Sequence, residues 1–334
     1  MFPDVFKPDL FTTTALVAAI NAQPFLPGRL GELGLFTESG VETTSVAVES
    51  IAGVLTLVAT SKRGAVGQTR MDDKRRGVQL AVPHLQVNDA LYADSIQNVR
   101  AFGSPDTLVA QQAKRDEKLG AMSRDLDYTL EYHRMGALQG KVLDADGSTV
   151  LYNLFTTFNI AEPTEIDFDL DNASPAVGAV KRKCTQVIRA IAVALGNIPF
   201  TGVHALCGDA FFDDLISHPE TQKLFEIQQS ADVLRENSAY QTFQYGGIVF
   251  ENYRGHGPVA IGTDKCRFFP TGVPDLFKTI FAPADYLETV NTIGLPRYAK
   301  AAPMKFDKGL ELEAQSNPLN ICTRPGVLQS ARRT

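Results

Sequence analysis

Five histidines, four cysteines and a scatter of carboxylates are the groups in this chain able to bind metal, relay protons or act as nucleophiles. His84, His133, His204, His218 and His256 stand far apart, with no H-E-x-x-H or paired spacing, so no zinc site is expected. Cys184, Cys207, Cys266 and Cys322 never fall in C-x-x-C spacing and read as free thiols of a reducing compartment. Cys207 lies near His204 and Asp209, superficially a nucleophile set, but all three share one short strand-like run in which Cys207 packs inward. Asp167-Phe-Asp-Leu-Asp opens like an EF-hand loop. Its sixth position is Asn172, where the sharp turn wants glycine, and its twelfth is Gly178, where a bidentate glutamate belongs. The stretch from Gly28 to Gly34, GRLGELG, is glycine-rich, yet no strand precedes it and no lysine–serine/threonine pair follows. Turn-forming glycines explain it better than a phosphate cradle. No G-x-S-x-G elbow is present. This sparse inventory points away from catalysis and cofactors and toward assembly.

The stretches that would position an assembly surface are clearer. Residues 1–45 hold Phe25, Leu26, Leu30, Leu35 and Phe36 between Pro24, Pro27, Gly28, Gly31 and Gly34. That is an extended arm whose large apolar side chains must pack on the body of this chain or on a neighbour. Residues 46–82 contain two β-like runs around a basic tip, where Lys62, Arg63, Arg70, Lys74, Arg75 and Arg76 face only Asp72 and Asp73. A long two-stranded arm with a positive tip and a solvated loop between strands of an ordinary sheet both fit this stretch.

From Ser104 to Gly140 runs the longest candidate helix. Ser104, Pro105 and Asp106 supply a capping hydroxyl, a first-turn proline and a dipole-matched carboxylate. Leu119, Met122, Leu126, Leu130, His133 and Ala137 form one mostly apolar stripe, with Lys114, Arg115, Asp116, Glu117, Arg124, Asp125 and Glu131 on the other faces. At 1.5 Å rise per residue this is a rod of about 50 Å. It reads either as an ordinary surface helix or as an organising spine. A hairpin over residues 141–153 follows, turning at Asp146-Gly147. A short helix is expected over residues 89–102 and another helix from Ser174-Pro175 to Gly196. Asp209 is expected to cap a fourth helix, and PVAIG and CRFFPTG to be strands. Residues 175–290 read as a compact α+β region.

Composition bounds the rest. The 334 residues are 44% hydrophobic, enough for two or three domains, and the net charge of −6 argues against a dedicated nucleic-acid binder. No apolar run reaches membrane-span length and the first residues do not form a signal peptide, so a soluble, intracellular-type chain is expected.

Several long blocks, collinear over essentially the whole chain, resemble the lambda-type (E family) major capsid proteins of tailed phages. They include TALVAAINAQPFLPGRLGELGLF, DKRRGVQLAVPHLQVNDALYADSIQNVRAFG, LEYHRMGALQGKVLDADGSTVLYNLF and PMKFDKGLELEAQSNPLNICTRP. The resemblance is weakest over roughly 160–270. It implies an α+β, Hong Kong 97-like capsid fold. Its parts would be an N-terminal arm (1–45), an E-loop hairpin (46–82), a peripheral domain (83–159) with a spine helix (105–139), an axial domain (160–285) and C-terminal strands (286–334) returning to the peripheral domain. It further implies self-assembly into pentamers and hexamers of an icosahedral head around double-stranded DNA, assembled in the bacterial host cytoplasm without sequence-specific binding. A separate scaffolding protein, a decoration protein and a portal at one vertex are the partners it implies, with no membrane. Subunit contacts are expected at Phe25, Leu26, Leu30, Leu35 and Phe36, and at Lys62, Arg63, Arg70, Lys74, Arg75 and Arg76. A tail-tube or decoration protein, or a soluble α+β enzyme, would be the competing readings.

Overall fold

The longest apolar stripe of the sequence becomes the longest helix of the protein. The computed structural model describes residues 16–17, 20–21, 28–51, 75–96, 107–172, 174–196, 198–222, 224–225, 242–255 and 257–334. The chain begins with α1 (Arg29–Glu32), β1 (Thr37–Gly40), β2 (Ser45–Ile51) and β3 (Arg75–Ala81). Next come β4 (Leu85–Tyr92), α2 (Ala93–Ile96), α3 (Thr107–Gln139), β5 (Lys141–Leu143), β6 (Val150–Asn153) and α4 (Leu154–Phe158). They are followed by β7 (Ile166–Asp167), α5 (Ala179–Leu195), β8 (Gly202–Cys207), α6 (Asp209–Ser217), β9 (Thr242–Tyr245) and β10 (Ile248–Asn252). The C-terminal strands are β11 (Lys265–Thr271), β12 (Phe277–Phe281), β13 (Tyr298–Pro303), β14 (Gly309–Ser316), β15 (Pro318–Cys322) and β16 (Gln329–Arg332).

Two compact units divide the chain. The first gathers Met1–Ala47, Gln79–Arg134 and Phe277–Asn320. Its antiparallel sheet runs β13-β14-β4. In β14, GLELEAQS alternates, so Leu310, Leu312 and Ala314 face inward while Glu311 and Glu313 face out. The inward row packs with Leu91 and Ala299 on Leu119, Met122 and Leu126 of α3 and on Leu16 and Ile20. Each leucine buried here contributes about 1.5–3 kcal/mol. The helix expected from Asp89 starts later, because β14 pairs with every residue from Leu85 to Tyr92 and holds them extended. A second small sheet, β1-β12-β15, belongs largely to this unit, and β2 pairs with β3.

All six residues of the predicted stripe on α3 are buried. So are Asp127, Glu131 and Arg134, which an ordinary surface helix would turn to solvent. The spine reading therefore holds over the second half of the helix.

The second unit gathers Val48–Val78, Met135–Leu276 and Ile321–Thr334. Gly140, with φ +81°, ends α3, and a Cβ there would overlap the Phe155 ring. The β5–β6 hairpin turns where expected, with Asp146 accepting from the Ser148 and Thr149 N–H groups. These bonds and the Thr149 hydroxyl hold the Asp146 carboxyl well below its ordinary value. Asn153 then caps α4.

The main sheet of this unit runs β7-β16-β11-β8-β10-β9. Phe168 stacks on Phe268 and meets Phe211 edge-on, while Phe250 meets Phe268 edge-on. Helix α5 buries Val180, Cys184, Val187, Ile191 and Leu195, the face that its spacing predicts. It starts after Gly178 rather than at Ser174-Pro175, and Val177 is left outside and exposed. Gly208, not Asp209, occupies the cap of α6, and PVAIG forms a 3-10 turn at Gly257–Val259 instead of a strand. The expected return of the C-terminal strands to one domain is corrected in part. β13 and β14 join β4, whereas β16 pairs with β11 and β7 in the second unit.

Candidate inter-subunit surfaces

Three charged residues spaced along α3, Asp127, Glu131 and Arg134, receive three successive pieces of the N-terminal arm. Asp127 accepts from Arg297 Nη2 at 2.7 and 2.8 Å and from Arg297 Nε at 3.2 Å, and Arg297 also donates to the Ile20 carbonyl. Asn21 donates to the Arg297 carbonyl at 2.8 Å and closes the ring. Glu131 accepts the Leu30 N–H at 2.8 Å. A Cβ on Gly28 would overlap the Glu131 side chain, so this position requires glycine for close approach. The glycine-rich stretch does hold an anion, and the anion is the chain's own carboxylate. Arg134 pairs with Glu38 at 2.6 Å, lies over the Phe36 ring and reaches Thr279, whose hydroxyl donates to Asn320.

This anchoring decides what the arm has left to offer. Leu30 is fully buried and Phe36 is buried against Phe277, both inside the first unit, while Leu35 stays half-buried. Phe25, Leu26, Lys62, Arg63, Arg70 and Lys74 lie outside the described residues. Arg75 and Arg76 belong to the backbone of β3, and their side chains are likewise outside the description.

The solvent face of β13-β14-β4 is acidic. Glu311 and Glu313 project from β14, flanked by Asp285 and Glu288 on the preceding loop, with Lys300 opposite Glu313. Gln86 and Gln315 both donate to Glu313, and Lys300 reaches Glu288 at 3.2 Å while lying over the Tyr286 ring. Burial and the neighbouring Glu313 carboxylate push the Tyr286 hydroxyl up. A groove of about 720 Å³ crosses the face, lined by Asn88, Tyr92, Tyr286, Lys300, Glu311 and Glu313 among others. At the rim of the sheet, Asp89 pairs with Lys118. Burial works against the Asp89 charge, but Lys118 and the Ala90 N–H outweigh it and hold the carboxyl below its ordinary value.

An apolar ridge joins β12 to β13. Leu287, Val290, Ile293 and Leu295 are exposed along it, Leu287 at 92%, and Phe306 stands out at the β13–β14 loop. Sequence reasoning missed both features. The acid rows were legible in the glutamate–leucine alternation of GLELE, and the ridge in the three-residue spacing of Leu287, Val290 and Ile293.

The groups first weighed for catalysis are used in packing. Cys207 is fully buried with its sulfur 3.3 Å from that of Cys266, and His204 pairs with Glu251 at 3.0 Å. Asp167 pairs with Arg332. Among the described residues no cluster of three metal-ligating side chains occurs. No described helix is long and apolar enough to cross a membrane.

Comparison with known proteins completes the picture. The family model described as phage major capsid protein E matches residues 12–333. The major capsid protein of Pseudomonas phage KPP10 is 28% identical, covering 95% of each chain. That of Salmonella phage Felix O1 is 25% identical, covering 96% of each. A solved prophage protein of Escherichia coli CFT073, described as a capsid protein, superposes with a TM-score of 0.55 at 13% identity, over 96% of this chain and 99% of that one. The fold is thus the α+β, Hong Kong 97-like capsid fold.

Proposed function

The chain belongs to the phage major capsid protein E family, a family of structural proteins rather than enzymes, and from that premise we propose how its subunits meet in the shell. Its subunits assemble with one another into the capsid of a virion. In the proposed arrangement they form pentamers and hexamers of an icosahedral head that encloses double-stranded DNA, assembled in the host cytoplasm with a separate scaffolding protein. A portal fills one vertex and a decoration protein binds the outer surface. Residues 1–45 act as the arm, 46–82 as the E-loop, 83–159 as the peripheral domain and 160–285 as the axial domain. The spine is α3, and most of 286–334 returns to the peripheral domain.

One observation carries the contact we favour: the acidic sheet face of Asp285, Glu288, Glu311 and Glu313 complements the basic run Lys62, Arg63, Arg70, Lys74, Arg75 and Arg76. The basic run of one subunit docks on that face of its neighbour, and electrostatics sets register as much as affinity. The arm's Phe25, Leu26 and Leu35 and the ridge at Leu287, Val290 and Ile293 add apolar contacts, because exposed apolar ridges on a subunit become buried where the interface repeats around a ring. Leu30 and Phe36 support the arm from within the subunit. The test is charge reversal. Arg75→Glu with Arg76→Glu, and separately Glu311→Lys with Glu313→Lys, are expected to suppress shells in sedimentation while the subunit melts normally. Combining all four changes is expected to restore them. Normal shells from the arginine reversals would sink the proposed contact.

A further inference from the structure

Helix α5 has the sequence AVKRKCTQVIRAIAVAL, with four basic residues and no acidic one, in a chain of net charge −6. Its inner face is spent on the core of the second unit. Its outer face places Arg182, Gln186, Arg189 and Val193 in one line at helical spacing, all exposed, with Lys181 exposed and Lys183 half-buried beside them. Elsewhere in the same unit four cations are neutralised: Lys141 by Glu162, Lys265 by Glu165, Arg332 by Asp167 and Arg333 by Asp214. On α5, no carboxylate among the described residues pairs with any of the four. Glu220 reaches the helix, but its oxygens accept the Val180 and Lys181 N–H groups and the Tyr245 hydroxyl. Arg182 uses one N–H on the Val177 carbonyl.

Folding gains little from this placement. Three consecutive cations sit near the positive end of the helix dipole, where positive charge is disfavoured by about 0.3–1 kcal/mol each. Like charges on one face add further repulsion. A binding role accounts for what folding does not.

We infer that the outer face of α5 is a sequence-independent binding surface for the phosphate backbone of duplex DNA. This rests on the proposed reading that the shell encloses DNA. The face is an open helix surface bearing long, flexible cations, which suits a line of phosphates better than the shaped contact of a folded partner. Arg182 and Arg189, seven residues apart, stand about 10 Å apart along the axis, close enough to contact the same duplex together.

The experiment uses full-length subunits before assembly and two unrelated fluorescent 30-bp duplexes, titrated by anisotropy between roughly 50 and 200 mM salt. The wild type is expected to bind both duplexes equally, with affinity falling as salt rises. Arg182→Glu with Arg189→Glu is expected to lose at least about tenfold in affinity at the low-salt end and to flatten the salt slope by about 1.8, at about 0.9 per phosphate contact. Arg182→Gln with Arg189→Gln should fall between, and circular dichroism should find all three equally folded. Unchanged binding by the folded double-Glu variant would overturn the inference, as would a wild type that ignores duplex DNA. Tighter binding of polyglutamate than of DNA would also overturn it, in favour of an acidic protein partner. Whether the wild type forms shells is read separately by electron microscopy, so failure of the shell reading and failure of this one are distinguishable.

Discussion

The two units solve the same problem with different chemistry. The first binds segments that are far apart in sequence through buried ionic groups, Asp127 with Arg297, Glu131 with the Leu30 N–H, and Arg134 with Glu38 and Thr279. The second relies on aromatic packing of Phe168, Phe211, Phe250 and Phe268 and on apolar helix faces. Buried ion pairs tolerate little error in geometry but specify partners, whereas an apolar core tolerates repacking. The contrast teaches that the first unit is built for register and the second for bulk stability.

The largest effects should separate the two chemistries. Phe268→Ala is expected to cost about 3–5 kcal/mol in urea unfolding, and Arg297→Ala about the same by stranding Asp127 in the interior. Only the second should be repairable: Arg297→Met with Asp127→Leu should recover most of the loss, because an apolar pair removes the uncompensated charge. If the double replacement is as unstable as Arg297→Ala, the ionic account of the first unit fails.

An intermediate effect is expected at Gly28. Gly28→Ala should displace Glu131 from the Leu30 N–H and cost about 1–3 kcal/mol, with earlier proteolysis of the arm. Gly34→Ala, where an added Cβ meets nothing within 4 Å, should lose only the smaller penalty of its left-handed backbone. Equal losses at the two glycines would argue against the carboxylate anchor.

The second unit predicts alkaline sensitivity. Burial pushes the Cys184 thiol up to about 12, with the Glu220 carboxylate adding to it. Cys322 is also pushed up to about 12, mainly by burial. Unfolded thiols titrate near about 8.5, so their contribution to stability is complete below that pH and is lost progressively as pH rises toward about 12. Iodoacetamide at neutral pH should therefore label none of the four buried cysteines until denaturant is added.

The smallest effect belongs to Asp89. Its depressed carboxyl supplies stability above its unfolded value of about 3.9, and that contribution disappears as pH falls through the lower folded value. Because Asp89 and Lys118 are partly solvated, Asp89→Asn should cost less than about 1 kcal/mol at neutral pH, and the difference should vanish in acid.

What the sequence made legible follows the same division. The stripe on α3, the buried face of α5, the Asp146-Gly147 turn and the Gly140 and Gly196 stops are local signals, each set by periodicity or a required backbone angle, and each is readable. The partners of Asp127, Glu131 and Arg134 come from residues 20–38 and 277–320, so nothing within one helix distinguishes these charges from solvated ones. That is why Glu131 reads as a surface charge and proves to be an anchor. The arm's Leu30 and Phe36 were ambiguous between self and neighbour for the same reason. Asp89–Tyr92 reads locally as the start of a helix but is strand, because its pairing with β14, over two hundred residues away, overrides a weak local helix preference.

Electron microscopy of the purified full-length protein, expressed with and without a candidate scaffolding partner, tests the central claim most directly. Closed shells, or rings of five and six subunits, are the predicted result. A protein that stays monomeric or dimeric at high concentration under both conditions would contradict the account.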